Sequence, residues 1–283
     1  MKAYSRVYFN CIDVQLTLNC NLNCHYCSRN CAIMNPLGDF YYNTSKLKKD
    51  FDRIFNFPDS ESIYSIALLG GEPTLHPDFD EIVKFFYNER KKRNLKFVLL
   101  LITNGILLEK HKDVIKYFDA VYVTDFGIKK VREFVDSKEF DNVKYAEHDP
   151  GWKLQLNETK HDVLKGAWVK FLFDFSKYNI FKPYNDCKSI MIYDSYCYYI
   201  QNLMSLWEIF PEHRDKFKRY PVNGYNSIKE MNADLVKRDK ITNCIFKSPE
   251  KWSLEKTKKE DILLQSAKMS KIKPAIVSNL LIF

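Results

Sequence analysis

Two hydrophobic periods alternate along the first two-thirds of the chain. Apolar residues at every second position, or in an unbroken run, predict strands, whereas apolar residues three and four apart predict helices. The predicted strands are residues 12–18, 62–69, 97–102, 120–124, 143–146 and 169–175. The predicted helices between them are residues 46–57, 79–92, 109–118 and 129–137. Because strands that alternate with helices pair in parallel through right-handed crossovers, the pattern predicts an α/β fold with a parallel sheet.

The third predicted strand differs in pattern from the first. Residues 12–18 alternate apolar and polar side chains, which is typical of a strand with one buried face. Residues 97–102 are all apolar, which is typical of a strand covered on both faces. We therefore expect the third strand to be buried on both sides of the sheet.

The alternation ends after the sixth predicted strand. Apolar residues 190–193 and 198–200 flank Asp194-Ser195, a pattern that indicates a hairpin. Residues 203–210 have helical spacing, and a capping-box pattern at Thr257 predicts a last helix. The predicted domains are a barrel over residues 1–180, a smaller cysteine-containing extension over 181–250, and a C-terminal helix and tail over 251–283.

The composition is that of a packed globular protein, with 46% hydrophobic residues and only 8 Gly and 10 Pro. The net charge is +8, from 44 basic and 36 acidic residues. The basic residues are spread along the chain, which favours solvated helix faces over a binding patch. Attraction to the phosphates of a nucleotide, a nucleotide sugar or RNA stays open on composition alone, although we do not expect a nucleic-acid partner.

The sequence contains no pattern typical of export or membrane insertion. The N-terminal residues lack the apolar core and cleavage site of a signal peptide, and no segment approaches 18 uninterrupted apolar residues. We therefore expect a cytoplasmic protein without a membrane partner. Because disulfides are rare in that compartment, the eight cysteines indicate metal or redox chemistry.

Three of these cysteines lie close together directly after the first predicted strand. Cys20, Cys24 and Cys27 have the spacing C-x₃-C-x₂-C. Three thiolates from one tight loop can bind three irons of a cubane cluster and leave the fourth iron open to a small molecule. The alternative is a structural zinc site with His25 or Cys31 as the fourth ligand. The spacing alone is compatible with both.

Further motifs follow the second, third and fourth predicted strands. They are Gly70-Gly71-Glu72-Pro73, Thr103-Asn104-Gly105 and Asp125. Paired glycines let a backbone approach a ligand closely, and Glu72 could accept hydrogen bonds from an ammonium group. All of these motifs lie at the carboxyl ends of strands, where parallel α/β barrels assemble their active sites.

Taken in order, these motifs resemble those of the radical S-adenosylmethionine (SAM) superfamily, over residues 10–175. The resemblance implies a partial (β/α)6 TIM-like barrel with a smaller C-terminal extension. It also implies that Cys20, Cys24 and Cys27 bind a 4Fe–4S cluster whose fourth iron is chelated by SAM. The residues that it assigns to SAM binding are Tyr26, Gly70, Gly71, Glu72, Pro73, Thr103, Asn104 and Asp125.

The resemblance also implies a reaction. An electron donor such as flavodoxin or ferredoxin would reduce the cluster, and SAM would be cleaved to methionine and a 5′-deoxyadenosyl radical that abstracts hydrogen from a substrate. Such a radical must be shielded from water. Residues 180–283 are the part of the chain that we expect to cover the barrel mouth.

A second group of cysteines lies in the predicted extension, at Cys187, Cys197 and Cys244. Many members of the superfamily bind an auxiliary cluster in a SPASM or twitch extension, and we hypothesise a second 4Fe–4S cluster on these residues. The chain departs from that pattern because it has only one cysteine after Cys197. The alternatives are buried inert cysteines, or a cysteine that donates a hydrogen atom to a substrate radical.

The leading functional hypothesis is a radical SAM oxidoreductase that acts on a small polar metabolite, with the auxiliary cluster as electron acceptor. The second hypothesis is an enzyme that modifies a peptide, including a radical epimerase with a cysteine hydrogen donor. We expect no leader-binding domain before the first strand, which disfavours the peptide hypothesis. The non-enzymatic alternative is an iron–sulfur or zinc-binding protein.

Overall fold

The computed structural model describes most of the first half of the chain and parts of the second. The described residues are 10–22, 29, 31–146, 189–198, 203–209, 211, 214 and 219–238. Within them, no helix is both long enough and apolar enough to cross a membrane.

A single sheet of eight strands organises the described residues, in the order β5-β4-β3-β2-β1-β6-β7-β8. The strands are β1 Cys11–Gln15, β2 Ser65–Leu69, β3 Val98–Thr103, β4 Ala120–Val123, β5 Val143–Tyr145, β6 Ser189–Tyr193, β7 Tyr196–Tyr198 and β8 Tyr220–Pro221. Strands β1 to β5 pair in parallel in chain order, which confirms the first five predicted strands. The sheet is not closed, as expected for a partial barrel. The predicted strand at 169–175 lies outside the described residues.

The helices of the described residues are α1 Cys31–Leu37, α2 Thr44–Phe55, α3 Phe79–Lys92, α4 Lys112–Ile115, α5 Lys129–Asp136, α6 Leu203–Ile209 and α7 Ile228–Arg238. Short 3₁₀ turns cover Ser60–Ser62, Pro73–Leu75, Leu108–His111 and Val222–Gly224. The continuous helix predicted over 109–118 is wrong, because this segment divides into a 3₁₀ turn and the single turn of α4. The helix predicted from Thr257 lies outside the described part of the chain.

Helix α2 shows why the helical spacing was informative. Its cap is Asn43, whose side chain accepts a hydrogen bond from the backbone N–H of Lys46 at 3.0 Å. The apolar residues of the predicted pattern are all buried, namely Leu47, Phe51, Ile54 and Phe55. One apolar stripe therefore attaches the helix to the core.

The predicted hairpin is present, and it belongs to the same sheet as the barrel strands. Strands β6 and β7 are antiparallel, and the turn residues Asp194 and Ser195 have φ angles of 45° and 66°. Strand β6 pairs in parallel with β1, on the side opposite β2. The hairpin turn contacts α2, where Ser195 Oγ donates to Asp50 Oδ2 at 2.6 Å. The first described element of the predicted extension is therefore hydrogen-bonded directly to the barrel sheet.

The expectation that β3 is buried on both faces is wrong. Leu99 and Leu101 are fully buried in the apolar core, together with Phe86 of α3. Ile102, on the other face, is 37% exposed. An open sheet covers its outer face with helices and leaves part of its inner, concave face accessible, so a uniformly apolar strand need not be enclosed.

Helix α7 was not predicted, although the sequence contains its start signal. Ser227 and Glu230 form a Ser-x-x-Glu pattern, and Ser227 Oγ accepts a hydrogen bond from Glu230 N at 3.1 Å. Asp59, from a distant loop, accepts bonds from the backbone N–H groups of Ile228 and Lys229, both at 2.8 Å. Because the second cap comes from a distant part of the chain, local sequence reasoning could find only the first.

The chain after β1 continues to pair with the chain after β2. Gly71 N donates to Thr17 O at 2.8 Å, and Glu72 N donates to Asn19 O at 2.8 Å. A Cβ atom on Gly71 would lie 2.1 Å from Asn19 O, and one on Gly70 would lie 2.6 Å from Thr17 O. The glycine pair is thus required by the contact between two backbone segments, a reason additional to the ligand approach inferred from sequence.

Replacing Gly71 with alanine should destabilise the protein by about 3 kcal/mol or more, because the new methyl group would lie 2.1 Å from the backbone oxygen of Asn19, which cannot move aside as a flexible side chain could. Chemical denaturation followed by circular dichroism measures the effect. Gly224→Ala is a matched control, since its added Cβ would meet only Pro221 Cγ at 3.7 Å. Equal stability of the two variants would contradict the proposed backbone contact.

Candidate functional site

The structure brings the first three sequence motifs together at the carboxyl edge of the sheet. The cysteine segment follows β1, Gly70–Pro73 follows β2, and Thr103–Gly105 spans the end of β3. Parallel strands in sequential order place these loops side by side. Hydrogen bonds between the three loops then fix their relative positions.

Glu72 is the central residue of this edge and is fully buried. Its Oε1 accepts hydrogen bonds from the hydroxyl groups of Thr74 and Thr103, both at 2.6 Å, and from Thr74 N at 3.2 Å. Its Oε2 accepts a bond from Asn104 N at 2.8 Å. Burial raises the pKa of Glu72, and these hydrogen bonds oppose the rise. The side chain therefore joins the loop after β2 to the loop after β3.

This arrangement assigns Glu72 a role that sequence reasoning did not anticipate. Both carboxylate oxygens accept hydrogen bonds from protein donors, and the hydroxyl group of Thr103 donates one of these bonds. Pro73 begins the 3₁₀ turn that carries Thr74 to the carboxylate. That Glu72, Pro73 and Thr103 also contact SAM stays a prediction.

Asn104 connects this carboxylate to the cysteine segment. Its Nδ2 donates to Asn21 Oδ1 at 2.7 Å and lies 3.8 Å from Cys20 Sγ, within hydrogen-bonding range of sulfur. Its Oδ1 accepts a bond from Ile106 N at 3.0 Å, which fixes the orientation of the amide. The Thr103-Asn104-Gly105 motif is thus in direct contact with Cys20, the first cysteine of the loop.

Cys20 is the cysteine of the C-x₃-C-x₂-C motif that lies within the described residues, and it is partly exposed. Its Sγ accepts a hydrogen bond from Leu22 N at 3.4 Å in addition to the one from Asn104. N–H groups directed at sulfur stabilise a thiolate, and such bonds are typical of iron–sulfur ligands. The surroundings of Cys20 therefore fit a cluster ligand. Cys24, Tyr26 and Cys27 lie outside the described residues.

The base of the cysteine loop is closed by backbone pairing. Leu18 N donates to Phe40 O at 3.0 Å, and Tyr42 N donates to Leu16 O at 2.9 Å. Asn19 adds its side chain, because Oδ1 accepts from Phe40 N at 2.6 Å and Nδ2 donates to Gly38 O at 2.7 Å. The chain therefore enters and leaves the loop at one fixed place.

Asp125 follows β4, as predicted, and forms an ion pair with Arg132 of α5. Both contacts between the guanidinium and the carboxylate measure 2.9 Å. Gly127 N also donates to Asp125 Oδ1 at 2.9 Å. The carboxylate is thus held in place by its own loop and helix, and its contact with SAM stays a prediction.

Of the second cysteine group, the structure describes Cys197. It lies on β7, opposite Ile192 of β6, and is 1% exposed within the apolar core. Cys187 and Cys244 lie outside the described part of the chain. The auxiliary-cluster hypothesis therefore stays a prediction.

The structure adds a polar group on the inner face of the sheet that sequence reasoning missed. Asp13 accepts a bond from Ser189 Oγ at 2.7 Å, and Gln15 Oε1 accepts one from Arg29 Nε at 3.2 Å. Gln15 is fully buried, and its Nε2 has no hydrogen-bond partner among the described residues. Burial raises the pKa of Asp13, against the lowering effects of Ser189 and Arg29. The alternation of β1 was the available signal, but it did not show that the polar face is buried.

Comparison with known proteins gives one family match, in which residues 14–129 match the radical SAM superfamily. Members of this superfamily use a 4Fe–4S cluster and SAM. A GTP 3′,8-cyclase from Synechocystis is 34% identical over 37% of this chain and 29% of its own length. One from Helicobacter pylori is 28% identical over 62% of this chain and 54% of its own.

A third relative carries a different name. This relative is a Methanocaldococcus jannaschii protein whose name, glycyl-radical enzyme activating enzyme, was assigned by inference. It is 29% identical over 42% of this chain and 46% of its own length. The chain thus spans about half or less of the length of these curated relatives.

Replacing Glu72 with alanine should destabilise the protein by about 3 kcal/mol, because it leaves the buried donors of Thr74, Thr103 and Asn104 without an acceptor. Urea denaturation measures the loss. Glu81→Ala is the control: Glu81 pairs with Lys48 at the surface, where an ion pair contributes at most about 1 kcal/mol. Losses of equal size in the two variants would argue against the central role of Glu72.

Proposed function

Residues 14–129 of this chain belong to the radical SAM superfamily, and from this premise we propose that the protein reductively cleaves SAM and abstracts hydrogen from a small polar substrate. The observation that carries the proposal is the hydrogen-bonded connection from Glu72 through Asn104 to Cys20. It supports assembly of the SAM-binding loops and of the first cluster ligand at one edge of the sheet.

In this proposal Cys20, Cys24 and Cys27 hold three irons of a 4Fe–4S cluster. When bound, the cluster supplies the electron that cleaves SAM and an open iron that SAM chelates. Asn104 and Leu22 direct N–H groups at the Cys20 thiolate and stabilise its negative charge. The residues proposed to bind SAM are Tyr26, Gly70, Gly71, Glu72, Pro73, Thr103, Asn104 and Asp125.

The polar group on the inner face supports a small polar substrate. Gln15 is the last residue of β1, only a few positions before Cys20, so the group lies near the proposed cluster. The buried Nε2 of Gln15 and the guanidinium of Arg29 suit a ligand with hydrogen-bonding oxygens. The relatives carry names for two different reactions, so their names do not favour a single substrate for this chain.

For the overall reaction we propose a two-electron oxidation of the substrate. The substrate would lose one hydrogen atom to the deoxyadenosyl radical and then one electron to an acceptor, with release of a proton. One SAM would be consumed in each turnover, and the electron that the substrate radical gives to the acceptor would replace the one that the donor supplied to cleave SAM. The proposed acceptor is a second cluster on Cys187, Cys197 and Cys244, and the initial donor a flavodoxin or ferredoxin.

Protein reconstituted with iron and sulfide under anaerobic conditions, then given dithionite and SAM, should form 5′-deoxyadenosine, measured by liquid chromatography with mass spectrometry. Cys20→Ala and Cys24→Ala should both abolish product formation, because each removes a cluster ligand. Cys11→Ala is the matched control, since Cys11 lies at the opposite end of β1 and should be dispensable.

Two results would contradict the proposal. One is purified protein that binds a single zinc and no iron. The other is deoxyadenosine formation that survives Cys20→Ala, since a cluster would then not depend on this loop.

The oxidation proposal makes a separate prediction about iron and solvent hydrogen. Reconstituted protein should contain about eight irons per chain, whereas about four would contradict the proposed second cluster. During turnover in deuterated water, the substrate should lose two electrons and gain no solvent deuterium. Deuterium incorporation without net oxidation would instead support the epimerase alternative, in which a cysteine returns a hydrogen atom.

A further inference from the structure

Asn35 lies outside every motif, yet its side chain is bound to the first cluster cysteine. It belongs to α1, the short helix that follows the cysteine loop. Its Oδ1 accepts a hydrogen bond from Cys20 N at 3.0 Å, and its Nδ2 donates to Cys20 O at 2.7 Å. One side-chain amide thus binds both backbone polar groups of Cys20.

A contact of this kind restricts the orientation of the residue that it holds. The amide of Asn35 is planar, and its two bonds to Cys20 prevent rotation of that residue's peptide groups without loss of one of them. The Cα–Cβ direction of Cys20 is therefore fixed, and with it the region that Sγ can reach. Asn104 contacts the same Sγ from the other side, from the loop after β3.

The helix that presents Asn35 is itself anchored in the core. Met34 is fully buried and Cys31 is 2% exposed. Asn19 Nδ2, which also holds the base of the loop, lies 3.5 Å from Asn35 Oδ1. Asn35 is therefore presented by a fixed element and not by a mobile side chain on the surface.

We propose that Asn35 is a positioning residue, which holds the Cys20 peptide so that the thiolate is oriented to bind iron before the cluster arrives. A loop with three cysteines in eight residues would otherwise lose conformational entropy when it closes around a cluster. Ordering the first ligand in advance reduces that cost. The inference rests on the proposed function, because it requires Cys20 to be a cluster ligand.

The test compares cluster retention in Asn35→Ala and in wild-type protein. Each reconstituted protein is challenged anaerobically with an iron chelator, and the visible absorbance of the cluster is followed with time. Loss of two hydrogen bonds at the ligand should make the cluster dissociate roughly tenfold faster. The electron paramagnetic resonance signal of the reduced cluster should also broaden, because Cys20 is then less ordered.

Asn142→Ala is the matched control. Asn142 also makes two side-chain bonds to backbone, donating to Ile115 O at 2.9 Å and to Phe118 O at 2.8 Å, but it precedes β5 at the opposite edge of the sheet. Both variants should lose similar thermal stability, and only Asn35→Ala should lose its cluster faster. Equal cluster retention in the two variants overturns the inference.

A second variant covers the case in which Asn35→Ala does not fold. Asn35→Asp keeps the size of the side chain and the acceptor for Cys20 N, but it replaces the donor to Cys20 O. Its cluster should dissociate faster than that of wild type, because a carboxylate oxygen would then face the Cys20 carbonyl oxygen, and a wild-type rate overturns the inference. Wild-type protein that forms no cluster would instead show that the proposed function itself is wrong.

Discussion

The buried carboxylate of Glu72 is the interaction on which the rest of the site depends. A carboxylate removed from water needs hydrogen-bond donors from the protein, and here they come from Thr74 of its own loop and from Thr103 and Asn104 at the end of β3. Strands β2 and β3 pair in parallel, which places the ends of the two strands side by side. The hydrogen bonds of the carboxylate then hold the loop after β2 against the loop after β3. Asn104 then connects this carboxylate to Cys20, so that a buried side chain with no proposed part in electron transfer helps to position the proposed cluster ligand.

The glycine pair also helps to position the cysteine loop, because the absence of side chains lets two backbone segments approach each other. With no Cβ at Gly70 or Gly71, the segment after β2 lies directly against the segment after β1 and exchanges backbone hydrogen bonds with it. The cysteine loop is therefore held on two sides, by the glycines near its start and by the pairing of residues 16–18 with 40–42 at its base.

The inner face of the sheet has a different character from the outer face. Ile12 and Val14 of β1 pack into the apolar core, whereas Asp13 and Gln15 point to the concave side. The hairpin of β6 and β7 extends this face beyond β1 and contributes Ser189 to it. A polar inner surface near the cysteine loop suits the proposed radical chemistry, because a substrate would have to be bound and oriented next to the radical while solvent is kept out.

Much of this architecture could be predicted from local patterns. Helical and strand periodicity depends on neighbours a few residues apart, so the first five strands, α2 and the hairpin were all found, and the order of the motifs indicated their chemistry. The exposure of Ile102 on β3 was not, because it depends on how much of the sheet other elements cover. The division of residues 109–118 into a 3₁₀ turn and the short α4 was not predicted either.

The residue types at the strand ends, and their order, can be read directly from the sequence. The contacts of Glu72 with protein donors, of Gly71 with Asn19 and of Asn35 with Cys20 become visible only in the folded chain. Each of these contacts joins residues that are distant along the chain. Their partners are selected by sheet register and loop closure, which are properties of the whole fold and leave no local periodic signal.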